Sequence, residues 1–186
     1  MQKTLILASS SPRRKELLHK ITDDFVIENP SCEEINAGTP QFVAQTNAVL
    51  KGRAVDGDFV LACDTLVSLD GVIYGKPKTE NRAIEMIKLL NGRKHVVTSG
   101  VYVRFCDEET TFTVNSDVVF KNLTDEEIAD YVVRYKPLDK AGSYGIQDGI
   151  IVESYAGSLD NIIGLPTERV REILGKYTYV KEEGNN

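Results

Sequence analysis

Apolar positions in this chain fall into short unbroken runs and helical stripes that alternate from the start. Residues 4–8 read as a buried strand, because Leu5, Ile6, Leu7 and Ala8 follow one another without a polar break. Pro12 then opens a helix to about residue 20, and residues 25–28 form a short strand before a polar loop at 29–38. Thr39 caps a second helix with Pro40 at its first position, where a missing N–H costs nothing. Phe42, Thr46, Val49, Leu50 and Arg53 recur there at helical spacing until Asp56-Gly57-Asp58 ends it. Residues 59–69 are the best buried strand in the chain, and Asp70-Gly71 turns them into a hairpin with 72–74.

Thr79 begins a third helix, lined by Ala83, Ile87 and Leu90 and ended by Asn91-Gly92. Two strand-like runs follow, 96–105 and 110–120, around an acidic turn at Asp107-Glu108-Glu109. Val101, Val103 and Phe105 alternate as in a half-buried antiparallel hairpin. Thr124-Asp125-Glu126-Glu127 is a capping box, and Ile128, Tyr131, Val132 and Tyr135 form the stripe of the helix it opens. A glycine-rich stretch runs from Pro137 to Gly157, its 138–149 part too rich in glycine and polar groups for a regular element. A last helix at about 166–174 leads to a frayed tail at 181–186. Strand–helix units beside long hairpins imply an α/β fold: a mixed twisted sheet with long antiparallel hairpins, flanked by helices. No repeat, low-complexity segment or linker divides the 186 residues, so they read as a single domain.

Composition changes this picture little and excludes several functions. Apolar and charged fractions of 41% and 27% are ordinary for a globular protein, and a net charge of -6 argues against a broad basic face for a nucleic acid polymer. A small basic pocket remains compatible with that balance. Cys32, Cys63 and Cys106 are far apart and form no CxxC pair, and with only His19 and His95 a structural zinc site lacks ligands. Reduced thiols, no stretch of membrane-spanning length and an apolar start too short for a signal peptide point to a soluble, cytoplasmic protein.

Three segments carry candidate chemistry. The strand ending at Ala8 is followed by Ser9-Ser10-Ser11 and a helix start, an arrangement that presents backbone N–H groups to an anion. Arg13, Arg14 and Lys15 occupy that helix's first turn, where the dipole disfavours each cation by about 0.3–1 kcal/mol. A bound phosphate would reverse the sign; a serine cap with solvated basic residues is the plain alternative. Asp64 interrupts the apolar run Leu61-Ala62-Cys63-Asp64-Thr65-Leu66-Val67, which is costly unless it is paired, hydrogen-bonded or metal-bound. Glu33-Glu34 in a loop, Lys51 on the second helix and Lys76 after the hairpin could join it. Together these supply cations, metal-binding carboxylates and a base, the parts that phosphoanhydride hydrolysis requires. Ordinary salt bridges account for each residue taken singly. In the third segment, Gly142 and Gly145 permit close backbone approach and Gln147 offers a donor and an acceptor to a base edge.

Taken together the segments resemble the Maf family of nucleotide pyrophosphatases, from Leu5 to about Leu174. The resemblance rests on Leu7-Ala8-Ser9-Ser10-Ser11-Pro12-Arg13-Arg14-Lys15, Asp64-Thr65, Gly75-Lys76-Pro77, Asn91-Gly92-Arg93-Lys94-His95 and Gly164-Leu165-Pro166. Its most specific part is Asp139-Lys140-Ala141-Gly142-Ser143-Tyr144-Gly145-Ile146-Gln147. The resemblance implies a fold shared with inosine triphosphate pyrophosphatases, a divalent cation (Mg²⁺ or Mn²⁺), a homodimer, and water attack on an α-phosphorus that releases pyrophosphate. It implies Asp64 as proton acceptor, Ser9, Arg13, Arg14, Lys51 and Lys76 at the phosphates, and Glu34 with Asp64 at the metal. Arg13, Thr65 and Gln147 match the dTTP/UTP subgroup, whose activity is house-cleaning; a second subgroup, with a Trp before the arginines, fits poorly. The family's link to arrest of septum formation suggests a different class, a regulatory nucleotide-binding protein with incidental hydrolysis. Three residues depart from the usual ones: Asp148 for glycine, Ser143 for alanine and Gly52 for alanine. Of these, Asp148 is expected to add negative charge beside the nucleotide pocket.

Overall fold

The protein is described here by a computed structural model covering residues 3–182. Its first half is β1 (Leu5–Ala8), α1 (Pro12–His19), β2 (Phe25–Glu28), α2 (Pro40–Arg53), β3 (Phe59–Leu69) and β4 (Val72–Tyr74). Then follow α3 (Glu80–Leu90), β5 (Lys94–Phe105), β6 (Glu108–Phe120), α4 (Asp125–Tyr135), β7 (Val152–Ala156), α5 (Leu159–Ile163) and α6 (Thr167–Glu182). The strands form one seven-stranded sheet in the order β2-β1-β3-β5-β6-β7, with β4 paired to β3. Strand β1 runs parallel to both β2 and β3, and the remaining pairs are antiparallel. This is the mixed α/β sheet that the alternation of elements implied.

Side-chain parity on β3 divides the core. Phe59, Leu61 and Cys63 pack with Leu17 and Leu18 of α1 and Val170, Ile173 and Leu174 of α6 on one face. Val60 and Ala62 meet Ala48 of α2 and Tyr102 of β5 on the other. Successive residues of a strand point to opposite faces, so Asp64 continues the α2 side and Thr65 the α1 side. A third cluster, with Val67, Ile87, Phe120, Ile128 and Tyr131, closes the far end under α3 and α4. Because α1 and α2 cover opposite faces while β2 and β3 flank β1 on opposite sides, the carboxyl end of β1 is a topological switch point. In open α/β sheets that is where ligands bind.

Helix starts follow the sequence closely. Ser11, Thr39, Thr79 and Thr124 cap α1 to α4 with their hydroxyls, and the Thr124–Glu127 box is reciprocal. The burial of several elements differs from the expectation. On α2 the stripe turned inward holds Val43, Ala44, Asn47, Ala48 and Lys51, whereas Phe42 is 57% exposed. Small residues on that stripe let the helix lie close on the sheet. Val101 and Val103 belong to one core and Tyr102 to the opposite one, so β5 is a central strand buried on both faces and not a half-exposed hairpin arm. The glycine-rich stretch contains two single 3-10 turns (Ala141–Ser143 and Ile146–Asp148) and the edge strand β7. The last helix extends through Lys181 and Glu182, so that part of the expected frayed tail is helical; residues 183–186 lie outside the described residues. Among the described residues, no helix is long and apolar enough to cross a membrane.

Candidate active site

The carboxyl end of β1 opens into a cleft of about 340 Å³. Of the residues expected at a site, Ser9, Arg13, Arg14, Glu34, Lys51, Thr65, Lys76 and Gln147 all line it. Asp64 lies just behind the wall, 5% exposed, and reaches it through Lys51. Side chains separated by as many as 138 positions in sequence (Ser9 to Gln147) are thus brought to one cavity.

At the acidic end, the Lys51 ammonium donates to Asp64 Oδ1 at 2.5 Å and stands 3.1 Å from Glu34 Oε1. One cation therefore holds two carboxylates in reach of each other. Asp64 Oδ2 accepts from Asn47 Nδ2 at 3.2 Å. Asn47 also grips the loop that carries Glu34: its Oδ1 accepts from Ile35 N–H at 2.8 Å and its Nδ2 donates to the Ile35 carbonyl at 3.0 Å. Sequence reading missed Asn47. The signal available was its position one helical turn before Lys51, on the inward face. Asn47→Ala is expected to lower stability by about 1–3 kcal/mol, because it strips partners from the Ile35 backbone and from Asp64. Urea titration measures this, and an unchanged midpoint would contradict it.

The basic helix start is built into the opposite wall. Arg14 Nε donates to the Gly164 carbonyl at 2.9 Å, and its two terminal nitrogens donate to Ser9 Oγ and Thr65 Oγ1, each at 3.3 Å. Those bonds tie β1, β3 and the end of α5 around one guanidinium. Thr65 Oγ1 also lies 2.8 Å from Ser99 Oγ. Arg13 bridges to the glycine-rich segment instead: its Nη1 donates to Asp139 Oδ2 at 2.6 Å and its Nη2 to the Asp139 carbonyl at 3.3 Å. Burial raises the Asp139 carboxyl, and the opposing hydrogen bond and charge of Arg13 bring it below its ordinary value. Two of the three cations in the first turn of α1 thus have partners across the cleft, which accounts for their presence at the disfavoured end of a helix dipole. Cys32 also lines the cleft, where burial raises its thiol despite nearby Lys51.

The segment holding Gln147 forms the remaining wall. Gly142 N–H donates to the Gly75 carbonyl at 3.2 Å, joining this segment to the turn that carries Lys76. Tyr144, on the wall, has its hydroxyl 2.9 Å from Nε2 of the buried His95. Desolvation lowers the His95 pKa to about 4, so the imidazole is neutral at physiological pH. Asp148, expected to bring negative charge to the pocket, is not a cleft residue: its carboxylate accepts from Tyr131 on α4 at 2.5 Å. At Gly52, another departure from the usual residue, an added Cβ would lie 2.1 Å from the ring of the fully buried Tyr102. The glycine makes room for that ring.

Similarity to known proteins agrees with the geometry. A dTTP/UTP pyrophosphatase of Thermosipho africanus is 44% identical, over 91% of this chain and 91% of that one. A dTTP/UTP pyrophosphatase of Dictyoglomus turgidum is 41% identical over 96% and 98%. Among solved structures, a HAM1 protein from Coxiella burnetii covers 92% of this chain and 98% of its own with a TM-score of 0.53 at 17% identity, a likeness of fold. Residues 4–177 match the family described as Maf-like protein, and with the cleft carrying that family's motifs on one sheet, this chain belongs to the Maf family.

Proposed function

We propose that this chain hydrolyses dTTP and UTP to the nucleoside monophosphate and pyrophosphate, as a house-cleaning enzyme. The observation that carries the proposal is the convergence, in one cleft, of the Asp64–Lys51–Glu34 group with the basic start of α1. The volume of about 340 Å³ suits a nucleotide. Relatives at 41–44% identity are named for this reaction.

In this reading the triphosphate lies along the start of α1, where backbone N–H groups and the positive end of the dipole favour anions. Ser9, Arg13 and Arg14 meet it from one side, Lys51 and Lys76 from the other. Asp64 takes the proton of the water that attacks the α-phosphorus, the bond to the bridging oxygen breaks, and pyrophosphate leaves. Lys51 and Asn47 each hold one oxygen of Asp64, which fixes the direction in which it accepts that proton. Glu34 and Asp64 are the residues that would hold Mg²⁺ or Mn²⁺. They fit a hard cation: two carboxylates share one partner, and no cluster of three or more ligating side chains occurs among the described residues. Magnesium characteristically takes one or two carboxylates and completes its shell with phosphate and water. When bound, the ion would neutralise charge building on the phosphates.

Gln147, at the far wall, reads the base edge, and Thr65 and Arg13 help select the pyrimidine. Gln147→Ala is expected to lower the preference for UTP over CTP by about tenfold while kcat for UTP changes little. Equal preference in variant and parent would remove Gln147 from this role. The same proposal includes a cytoplasmic homodimer acting on free nucleotides. The purified protein, incubated with a panel of triphosphates with and without Mg²⁺ or Mn²⁺, should release pyrophosphate from dTTP and UTP only with metal. Orthophosphate as first product would contradict the proposal, and tight nucleotide binding without turnover would favour the regulatory reading.

A further inference from the structure

The stripe of α4 would be served as well by phenylalanine as by tyrosine at position 131, yet its hydroxyl is buried and fully engaged. Tyr131 is 2% exposed and stacks on Tyr135, with ring centroids 4.9 Å apart. Its hydroxyl accepts from Gly145 N–H at 3.1 Å and donates to Asp148 Oδ2 at 2.5 Å. Those two partners stand immediately before and after the pair Ile146–Gln147. The same turn is closed by Asp148 N–H on the Gly145 carbonyl and Gly149 N–H on the Ile146 carbonyl, each at 3.2 Å. Gly149 has a φ of +70°, and an added Cβ at Gly145 would lie 3.0 Å from Asp148 Oδ2. One hydroxyl on a rigid helix therefore fixes both ends of the turn that presents Gln147 to the cleft.

We infer that Tyr131 and Asp148 form a positioning pair for base selection, holding Gln147 at the distance and angle that distinguish pyrimidine edges. The inference rests on Gln147 as the base-reading residue. Asp148, which departs from the family's usual glycine, is thereby given a task specific to this chain: it is the acceptor that orients the Tyr131 hydroxyl. The Tyr131 hydroxyl keeps its proton because burial and the adjacent carboxylate raise its pKa well above the usual tyrosine range.

The test compares kcat and KM for UTP and CTP in the parent and in Tyr131→Phe, Asp148→Ala, Asp148→Asn and Gln147→Ala, with a thermal melt of each. Tyr131→Phe and Asp148→Ala are expected to lose about tenfold in UTP over CTP preference, with kcat for UTP changed less than about threefold. Asp148→Asn retains an acceptor for the hydroxyl and should restore preference to within about twofold of the parent. Parental preference in Tyr131→Phe and Asp148→Ala, while Gln147→Ala loses it, would overturn the positioning role and leave the base-reading role standing. An equal fall in kcat/KM for both nucleotides, with a lowered melting temperature, would mean a structural role only and would also overturn it. Parental preference in Gln147→Ala would overturn the base-reading role itself.

Discussion

Asp64→Asn should fold and yet lose turnover by about 10²–10⁴-fold, the range in which a positioned general base acts. The amide matches the carboxylate in size, and Lys51 keeps Glu34 as a partner at 3.1 Å. Stability falls only modestly, because one amide NH₂ must then face a donor, either Lys51 Nζ or Asn47 Nδ2. Proton acceptance is abolished outright, and one of the two proposed metal carboxylates goes with it. Two readings separate the causes: circular dichroism and a melt for the fold, and pyrophosphate release from dTTP for the chemistry. Hydrolysis at the parental rate would show that Asp64 is not the proton acceptor.

Gly100→Ala should have the largest effect on stability of any single methyl group added near the cleft. Gly100 pairs with Asp64 across β3 and β5, directly beneath α2. An added Cβ would fall 2.3 Å from the carbonyl carbon and oxygen of Ala44 and 2.5 Å from Gln45 N. These are backbone atoms of a helix that cannot turn aside as a side-chain end can. Overpacking in a filled core costs about 1–3 kcal/mol, and with the helix backbone on one side and the sheet on the other the upper end applies. At about 2–4 °C per kcal/mol for a chain of this size, the melting temperature should drop by roughly 6–12 °C. Turnover should fall as well, since α2 carries both Asn47 and Lys51 and would have to lift from the strand that carries Asp64. A parental melting temperature would contradict this account of how α2 is seated.

Much of the architecture was legible because local signals coincide with the tertiary answer. Thr39-Pro40, Thr79 and the Thr124–Glu127 box mark helix starts by backbone hydrogen bonding that does not depend on the rest of the fold. The Asp70-Gly71 hairpin is equally local: φ is positive at both residues. What could not be read depends on partners distant in sequence. The inward face of α2 is made of small residues and Asn47, so a reading by hydrophobicity favours Phe42 on the other side. Val101 and Val103 look half-buried until β3 and β6 enclose β5 and α2 covers its second face. Strand β7 exists because β6 offers an edge to the glycine-rich stretch, which no local pattern announces.

The same division holds at the candidate site. Asp64 and the basic turn of α1 stood out because each violates a local rule: a carboxylate inside an apolar strand, and cations at the positive end of a helix. Sites are where such violations concentrate. Arg13–Asp139, Arg14–Gly164 and Asn47–Ile35 were illegible, since each pairs a side chain with a segment placed by the fold alone. Asp148 shows the opposite error. Sequence proximity to Gln147 suggested a charge in the pocket, whereas one residue's step around a 3-10 turn directs it to α4.

The position of water attack is the most direct test of the central claim, that this cleft aligns the α-phosphorus with Asp64. Hydrolysis of dTTP in ¹⁸O-enriched water, followed by mass spectrometry of both products, reads that position. The account predicts one ¹⁸O in the monophosphate and none in the pyrophosphate. Label recovered in pyrophosphate, or in orthophosphate released first, would place the attack at another phosphorus and contradict it.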